Sequence, residues 1–244
     1  MSTTSVTRDY LETIYNLIVE GEPVVGARLA EKFGVSAPNV AQVLARMQKD
    51  GLINMPGRGR GRQGEGIELT PQGRSEAEVL LRQHRLAERF LTDVLGMDWV
   101  KAHEEAHNLE RGMSPDIEAN LMRVLNNPRT CPHGNPIPSE HFNTTEYLRE
   151  QHALRLSNAQ PGTPTVVVLI SELVEDESAI LTRLGQMDIM PGATLTILSH
   201  QPTANELEVE IIPRGDSPHP TQRVTLSTDL AAKIWVRNAG DRRP

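Results

Sequence analysis

The spacing of hydrophobic positions divides the chain into a helical N-terminal part and a C-terminal part of short strands. Up to about residue 125, apolar residues recur every three or four positions, which is the spacing of helices with one buried face. Beyond residue 164, short apolar runs between Gly and Pro turns predict strands, with small helices near 178–185 and 227–233. The predicted strands are 165–170, 194–199, 206–212 and 223–226. The pattern predicts a mainly α protein with a small β domain.

Two short predicted helices near the N-terminus are joined by a turn that contains glycine. The first runs from Val25 to Phe33 and stops at Gly34, and the second is capped by Ser36 and stops at Gly51. This pair is typical of a helix-turn-helix, whose second helix enters the major groove of DNA. The exposed face of that helix carries side chains of the types that reach base edges and phosphates: Ser36, Pro38, Asn39, Gln42 and Arg46. A polar face in any small helical domain is the alternative.

A basic hairpin is predicted directly after this pair of helices. Residues 52–55 and 67–69 read as paired strands, and Arg58, Arg60 and Arg62 alternate with glycine in the loop between them. Such a loop suits contact with phosphates or with the minor groove. A helix-turn-helix followed by a basic hairpin predicts a winged helix that binds DNA.

Three further helical patterns follow. One begins at Thr70 and reaches Leu95, with His84 and Glu88 four residues apart on one face. The next begins near Trp99, and the last has Ser114 as its cap and is expected to bury Ile117, Leu121 and Val124. Helices this apolar after a DNA-reading module predict pairing with a second copy. Prolines punctuate residues 128–164, where we expect loops and one short helix over 146–156.

The stretch from His103 to Glu110 has the spacing of a metal site. At about 3.6 residues per helical turn, His103 and His107 lie one turn apart and Glu110 continues their face. The same stretch matches His-Glu-x-x-His, in which two histidines hold zinc and the glutamate, here Glu104, is the general base of a metalloprotease. A solvated helix face that happens to carry two histidines is the third interpretation.

Composition and charge narrow the class of protein. The net charge of −7 argues against indiscriminate coating of nucleic acid, and residues 1–75 carry nine Lys/Arg against eight Asp/Glu, so the acidic surplus lies with the candidate ligands. No apolar run approaches the length of a membrane span, which predicts a soluble cytoplasmic protein without a membrane partner. The single cysteine, Cys131, cannot form an internal disulfide. With His133 it offers a metal ligand, although an incidental loop thiol is the simpler interpretation.

Four stretches together resemble the diphtheria toxin repressor family of metal-dependent transcriptional regulators. They are YLETIY from Tyr10, VLARMQKDGL from Val43, HRLAERFL from His84 and GNPIP from Gly134. The resemblance implies a winged helix-turn-helix over 1–73, a helical dimerisation and metal-binding domain over 74–150, a linker over 151–163 and an SH3-like (FeoA-like) β barrel over 164–244. It also implies a homodimer whose metal-bound form binds a palindromic operator upstream of metal-uptake genes.

The resemblance further implies two metal sites. The primary site falls on Asp9, His107 and Glu110, with Glu12 as a further ligand, and the ancillary site falls on His84, Glu88, His103 and Glu177. Aspartate at position 9 resembles the manganese-sensing members rather than the iron-sensing ones. One departure concerns the primary site, since Arg111 stands where the family usually has a histidine, and a guanidinium cannot coordinate a metal. In the ancillary site a second expected ligand falls on Ile180, which cannot serve.

These observations predict a metal-dependent repressor, not an enzyme. Mn(II) is the expected metal and Fe(II) the alternative, and Zn, Co, Ni or Cd are expected to substitute in vitro. Ser36, Pro38, Asn39 and Gln42 are expected to read bases, while Arg46, Lys49 and the wing arginines hold phosphates. The alternatives are an iron-dependent repressor of the same family, a metal-binding protein without operator binding, and a metalloprotease that uses the HEEAH motif.

Overall fold

The computed structural model describes residues 4–55, 66–139, 142–173, 177–215 and 219–241. The chain divides into two compact units, which are Met1–His84 with Pro138–His141 and Arg85–Ile137 with Phe142–Pro244. In this part of the chain no helix is both long enough and apolar enough to cross a membrane. The predicted mainly α chain with a small C-terminal β domain is confirmed.

The first unit contains the predicted helix-turn-helix and hairpin. Its elements are α1 (Ser5–Val19), α2 (Gly26–Phe33), α3 (Ala37–Lys49), β1 (Ile53–Asn54) and β2 (Glu68–Leu69), and the two strands pair antiparallel. Leu11, Ile14 and Leu29 are fully buried, and the ring of Tyr10 stacks on Phe33. The predicted wing arginines Arg58, Arg60 and Arg62 lie outside the described residues.

Helix α3 has the exposed polar side that the sequence predicts. Val40, Leu44 and Met47 are buried, and Val43 is half-buried. Ser36 occupies the N-cap position, but its hydroxyl makes no capping hydrogen bond and the side chain is exposed. Ser36 therefore stabilises the helix less than an N-cap serine usually does. Its exposed side chain extends the polar face of α3 by one residue before the helix begins.

A close backbone contact fixes the start of α4 (Pro71–Arg89) against the hairpin. The Thr70 hydroxyl accepts a hydrogen bond from Gly73 N at 3.0 Å and donates one to the Gly51 carbonyl at 2.6 Å. A Cβ atom at Gly73 would lie 1.9 Å from the Leu52 carbonyl oxygen. Only glycine allows the helix to approach the chain before β1 this closely.

The second unit contains the helices that follow α4. A π-helix over Phe90–Val94 extends α4, and α5 (Trp99–Glu110) and α6 (Pro115–Val124) come next, capped by Asp98 and Ser114. The predicted buried stripe of α6 is wrong for the single chain. Ile117 is 47% and Val124 59% exposed, and Leu121 is half-buried. The stripe has the spacing of a buried face, but this chain alone does not cover it.

Among the described residues the C-terminal part contains six strands: β3 (Leu154–Arg155), β4 (Thr165–Ile170), β5 (Thr194–Gln201), β6 (Glu206–Ile212), β7 (Gln222–Ser227) and β8 (Ile234–Asn238). They form one antiparallel sheet in the order β3-β8-β4-β5-β6-β7. The helices around it are α7 (Thr144–Glu150), α8 (Glu177–Gln186) and α9 (Thr228–Ala231).

Two sequence predictions differ from this part of the structure. The helix predicted over 146–156 is wrong beyond Glu150, because His152 has φ +48° and Leu154–Arg155 form a strand. The strands β3 and β8 are not among those that the sequence predicts.

The start of α5 and the helix α8 share the hydrophobic core of the sheet, whereas α4 and the rest of α5 pack in a second apolar cluster. Trp99 at the start of α5 packs with the buried residues of the sheet and of α8, and Gly185 leaves room for its indole. The loop before α7 docks on β4, where the Asn135 side chain donates to the Ile170 carbonyl at 2.9 Å. Ile170 N in turn donates to the His133 carbonyl. Residues 131–137 are therefore held in place by the sheet.

We predict that Gly73→Ala lowers the free energy of unfolding of the first unit by about 1–3 kcal/mol, because the new methyl group forces the Leu52 backbone away. Urea unfolding followed by circular dichroism measures the change. Gly112→Ala is the control, since a Cβ there would meet nothing within 4 Å. Equal stability of the two variants would contradict the close contact.

Candidate metal centre

The candidate metal site of the second unit is built around the buried carboxylate of Glu88 in α4. Glu88 is 1% exposed, and its Oε1 lies 2.9 Å from His103 Nδ1 and 3.2 Å from His133 Nδ1. An ionised carboxylate taken out of water is costly unless it is paired with positive charge or donors. Two imidazole nitrogens converge here on one oxygen, so the site is built to hold positive charge.

The hydrogen bond between His133 Nε2 and the Trp99 carbonyl determines which ring nitrogen of His133 carries the proton. His133 Nε2 lies 3.2 Å from the carbonyl oxygen of Trp99, which can only accept, so Nε2 is assigned as the donor. In the neutral ring, Nδ1 then directs its lone pair toward Glu88 and toward Cys131 Sγ, 3.8 Å away. A histidine whose second nitrogen donates to a backbone carbonyl is the usual arrangement for a metal ligand.

Cys131 completes a set of three buried donors. The possible ligand atoms of Glu88, Cys131 and His133 all lie within 4.8 Å of one another. Burial raises the pKa of the Cys131 thiol, and the negative charges of Glu88 and Glu172 raise it further. The thiol is therefore protonated unless a cation replaces its proton. Carboxylate, thiolate and imidazole together fit a divalent transition metal.

His103 joins Glu88 to a residue of α8. Its Nδ1 contacts Glu88, and its Nε2 lies 3.6 Å from Glu177 Oε2. The structure thus brings together three of the four residues predicted for the ancillary site. The fourth, His84, is buried one turn before Glu88 on α4 and belongs to the first compact unit. The use of these four as ligands stays a prediction.

A second buried charge lies three residues before Glu88. Arg85 is fully buried, pairs with both carboxylate oxygens of Glu172 at 3.1 and 2.8 Å, and donates to the Pro136 carbonyl at 2.6 Å. The pair holds α4 against the end of β4 and the docked loop. A guanidinium with a bidentate carboxylate partner is the arrangement in which a buried cation is well satisfied.

The residues predicted for the primary site are placed on two helices. His107 Nδ1 lies 3.9 Å from Glu110 Oε1, with Glu110 buried and the His107 side chain 45% exposed. Asp9 is exposed and Glu12 half-buried on one side of α1, in the first unit. Arg111, the departure from the family pattern, is exposed at the end of α5.

The metalloprotease interpretation finds no support in this arrangement. Glu104 is exposed, whereas His103 is buried and engaged with Glu88 and Glu177. The rings of His103 and His107 lie edge to face with centroids 5.5 Å apart. What disfavours a protease is the exposure of Glu104 and the contacts of His103 with the two glutamates.

The described residues predicted to contact DNA are all exposed. They are Ser36, Pro38, Asn39, Gln42, Arg46 and Lys49. Lys49 and Arg46 lie in the last turn of α3, where positive charge also complements the helix dipole. A helix with one buried apolar side and one exposed polar side is available for insertion into a groove.

Cys131 and His133 are the site residues that the sequence alone does not identify, since a lone loop thiol is simpler to interpret as incidental. Their spacing of two residues carried a weak signal, and the partner residue Glu88 lies far away in the chain. The GNPIP motif that follows them was visible, and its Gly134 has φ +88° and lies against β4. The docking of this loop brings the two side chains to Glu88.

Three family models match successive parts of the chain. They are described as the iron dependent repressor N-terminal DNA binding domain at residues 2–59, the iron dependent repressor metal binding and dimerisation domain at 70–139, and the FeoA domain at 154–238. The predicted winged helix, helical dimerisation domain and C-terminal SH3-like domain agree with these matches.

Similar proteins cover nearly the whole chain. The iron-dependent repressor IdeR of Mycobacterium leprae is 39% identical over 235 residues, which cover 94% of this chain and 96% of that protein. The diphtheria toxin repressor of Corynebacterium diphtheriae is 35% identical over 244 residues, with the same coverages of 94% and 96%. Among solved structures, a manganese-dependent transcriptional repressor in complex with manganese has a TM-score of 0.75 at 27% identity, covering 95% of this chain and 99% of that one.

We predict that Co(II) bound by the metal-stripped protein shows a thiolate-to-metal charge-transfer absorption that Cys131→Ser abolishes. Because the metal must displace a proton from a thiol whose pKa is raised, the apparent affinity of this site should rise by up to about tenfold per pH unit. Absorption titrations at several pH values measure both effects. His152→Ala, which changes an exposed histidine of the same unit, is the control. An unchanged spectrum in Cys131→Ser would exclude Cys131 as a ligand.

Proposed function

The chain belongs to the iron-dependent repressor family that includes the diphtheria toxin repressor, and we propose that this metal-dependent transcriptional repressor responds to Mn(II). As a homodimer it binds a palindromic operator and represses metal-uptake genes when loaded with metal. Fe(II) is the alternative metal, because iron-dependent and manganese-dependent repressors both occur among the similar proteins.

The carboxylate of Asp9 is the observation that carries the choice of Mn(II). In this family an aspartate at the first ligand position resembles the manganese-sensing members. Asp9 and Glu12 both offer oxygen ligands from one side of α1, and oxygen donors suit Mn(II) better than a thioether would. Zn(II) binds such sites at least as tightly by intrinsic affinity, so selection of Mn(II) depends on geometry and on metal availability.

The residues on α1 and α5 would act together at the primary site. Asp9 and Glu12 come from the DNA-binding part of the chain, and His107 and Glu110 come from α5. A bound metal supplies the positive charge that lets these carboxylates share one site. A ligand set drawn from both elements fixes the orientation of α1, and with it the orientation of α3 in the dimer. Arg111 contributes no ligand, so water completes the coordination.

The second metal site of the proposal is built around Glu88. Its carboxylate oxygen contacts His103 and His133, Cys131 lies in the same group of donors, and His103 in turn contacts Glu177. His84 joins this set through the resemblance to the family. Because Glu88 contacts both His103 and His133, a metal ion held by Glu88 would draw on the predicted ancillary residues and on the Cys131–His133 pair. The site stabilises the junction of α4, α5 and the C-terminal sheet, which favours one conformation of the protomer.

The dimer covers apolar side chains that the single chain leaves exposed. Val94 and Leu95 at the end of α4 are 49% and 57% exposed, and Ile117 and Val124 of α6 are exposed as well. Burying such side chains against a second copy contributes about 25 cal/mol per Å² of apolar surface. The two-fold symmetry of the pair matches a palindromic operator, whose half-sites lie about one helical turn of DNA apart.

We predict that Mn(II) strengthens binding of operator-type DNA by the metal-stripped protein, and that Asp9→Ala abolishes this enhancement while leaving the dimer intact. The loss follows because Asp9 is the ligand that connects α1 to the site. Fluorescence anisotropy at fixed salt measures DNA affinity as Mn(II), anaerobic Fe(II) or Zn(II) is added, and sedimentation measures the dimer.

The matched control is Glu105→Ala, which removes an exposed carboxylate from α5. It should respond to Mn(II) like the unchanged protein. A metal response retained by Asp9→Ala would reject its role as a ligand, and equal DNA binding with and without every metal would reject the metal-dependent mechanism.

We predict that two exposed residues of α3 contribute differently to operator binding. Lys49→Ala should weaken binding to all sequences alike and reduce the slope of log affinity against log salt by about one, since it removes one phosphate contact. Gln42→Ala should cost about 1–3 kcal/mol on the operator alone and relax its base preference. Salt titrations with operator and scrambled duplexes separate the two. A large sequence-dependent loss in Lys49→Ala would contradict this assignment.

A further inference from the structure

A cavity of about 540 Å³ opens in the second unit beside the metal centre. Its walls come from the end of α4, the loop before α7, α7 itself and the strands β4 and β8. This volume lies within the range of pockets that hold small organic ligands. Its charged lining residues are four arginines and a single aspartate: Arg89, Arg129, Arg214, Arg237 and Asp93. In a chain with a net charge of −7, this is a local concentration of positive charge.

The buried guanidinium of Arg237 is the strongest sign that the cavity takes an anion. Arg237 lies on β8 and is 8% exposed. Within the described residues its hydrogen bonds come from one nitrogen, Nη1, to the carbonyl oxygens of Asn238 and Asp241. A buried cation held only by carbonyl dipoles lacks the charge compensation that an ion pair gives. Its remaining N–H donors are available to an acidic group in the cavity.

Arg129 and Arg89 add charge to the same space, although each also contacts an acid. Arg129 pairs with Glu150 at 2.8 Å and stacks on Phe142, and its side chain is 58% exposed. Arg89 donates its Nε to the Thr130 carbonyl and lies 3.4 Å from Asp93. Of these two acids, only Asp93 lines the cavity. The guanidinium planes retain donors suited to bidentate contact with phosphate or carboxylate oxygens.

The rest of the lining is not suited to an inorganic ion alone. Met97, Trp99 and Met190 contribute apolar surface. Tyr147 lines the cavity together with Arg129 and Arg237, and burial raises the pKa of its phenol. A neutral phenol is a hydrogen-bond donor to an oxyanion.

We propose that this cavity binds a small organic polyanion, phosphorylated or polycarboxylic, with its acid groups on Arg237 and Arg129 and its apolar part against Met97 and Met190. Cys131 also lines the cavity, and the Trp99 carbonyl accepts from His133, so the anion lies next to the second metal site. The proposal does not depend on the metal that the repressor senses or on its operator.

Isothermal titration calorimetry of the full-length, metal-stripped protein at fixed ionic strength tests the proposal without DNA. ADP and citrate are the two organic probes, and inorganic phosphate is the small-ion comparison. We expect ADP or citrate to bind once per chain and at least about tenfold more tightly than phosphate, because the apolar part adds contacts that phosphate lacks. Tighter binding of ADP would indicate a phosphorylated ligand, and tighter binding of citrate would indicate a polycarboxylate.

Two variants assign the binding to this cavity. Arg237→Met should weaken binding by about tenfold or more, the loss expected for charge-assisted hydrogen bonds. Because Arg237 is buried and the variant could misfold, Arg129→Ala at the open side provides a second measurement and should also weaken binding. Glu150→Ala removes the ion pair between Glu150 and Arg129 but keeps Arg129. The affinity of this variant for the bound probe, ADP or citrate, should therefore be unchanged or higher. Arg149→Ala, an exposed position of α7 outside the lining, should bind normally.

Several results would overturn the proposal. They are failure of both ADP and citrate to bind, phosphate binding as tightly as either probe, and full affinity in folded Arg237→Met or Arg129→Ala. A loss in Glu150→Ala as large as that in Arg129→Ala would also overturn it, since the effect would then come from the position of α7 and not from the cation.

Discussion

The burial of the Glu88 carboxylate is the constraint on which the second unit depends. A charge at a position that is 1% exposed has to be compensated where it lies, and two imidazoles and a thiol surround it. These groups come from two distant parts of the chain, since His103 belongs to α5 and Cys131 and His133 belong to the loop before α7. The compensation of one charge therefore fixes how α4, α5 and this loop are arranged.

The loop before α7 connects that charge to the C-terminal sheet. Its backbone and the Asn135 side chain bond to Ile170 at the end of β4, and the Arg85–Glu172 pair closes the same junction from α4. Trp99 belongs to the sheet core through its indole and to the candidate metal site through its carbonyl. A metal that replaces the Cys131 proton would thus strengthen a junction which the apolar core already holds, so metal binding and domain packing favour the same conformation.

Three parts of the chain have surfaces that fit the partners proposed for them. The polar side of α3 is exposed where a helix-turn-helix presents residues to DNA, and the exposed apolar residues of α6 lie in the part of the chain that matches the metal binding and dimerisation domain. The arginine-lined cavity is a third such place, because Arg237 is buried without a carboxylate partner in the described residues. The exposed apolar residues of α6 and the buried cation each carry a cost that the proposed partner, a second copy or an anion, would remove. The polar side of α3 is solvated and carries no such cost.

The sequence by itself determined the order of the helices, four of the six strands of the C-terminal sheet and the polar side of α3, because helical spacing and turn residues are local properties of the chain. The family and the candidate ligands followed from the resemblance carried by four stretches of sequence. The sequence could not determine which ligands meet, since Glu88 and the Cys131–His133 pair are distant in sequence and come together only when the loop docks on β4. Spacing also could not show that Ile117 and Val124 face outward, because a stripe covered by a second copy has the same pattern as one covered by the chain itself. Tertiary structure decided these points, as burial and the convergence of charges depend on contacts between distant segments.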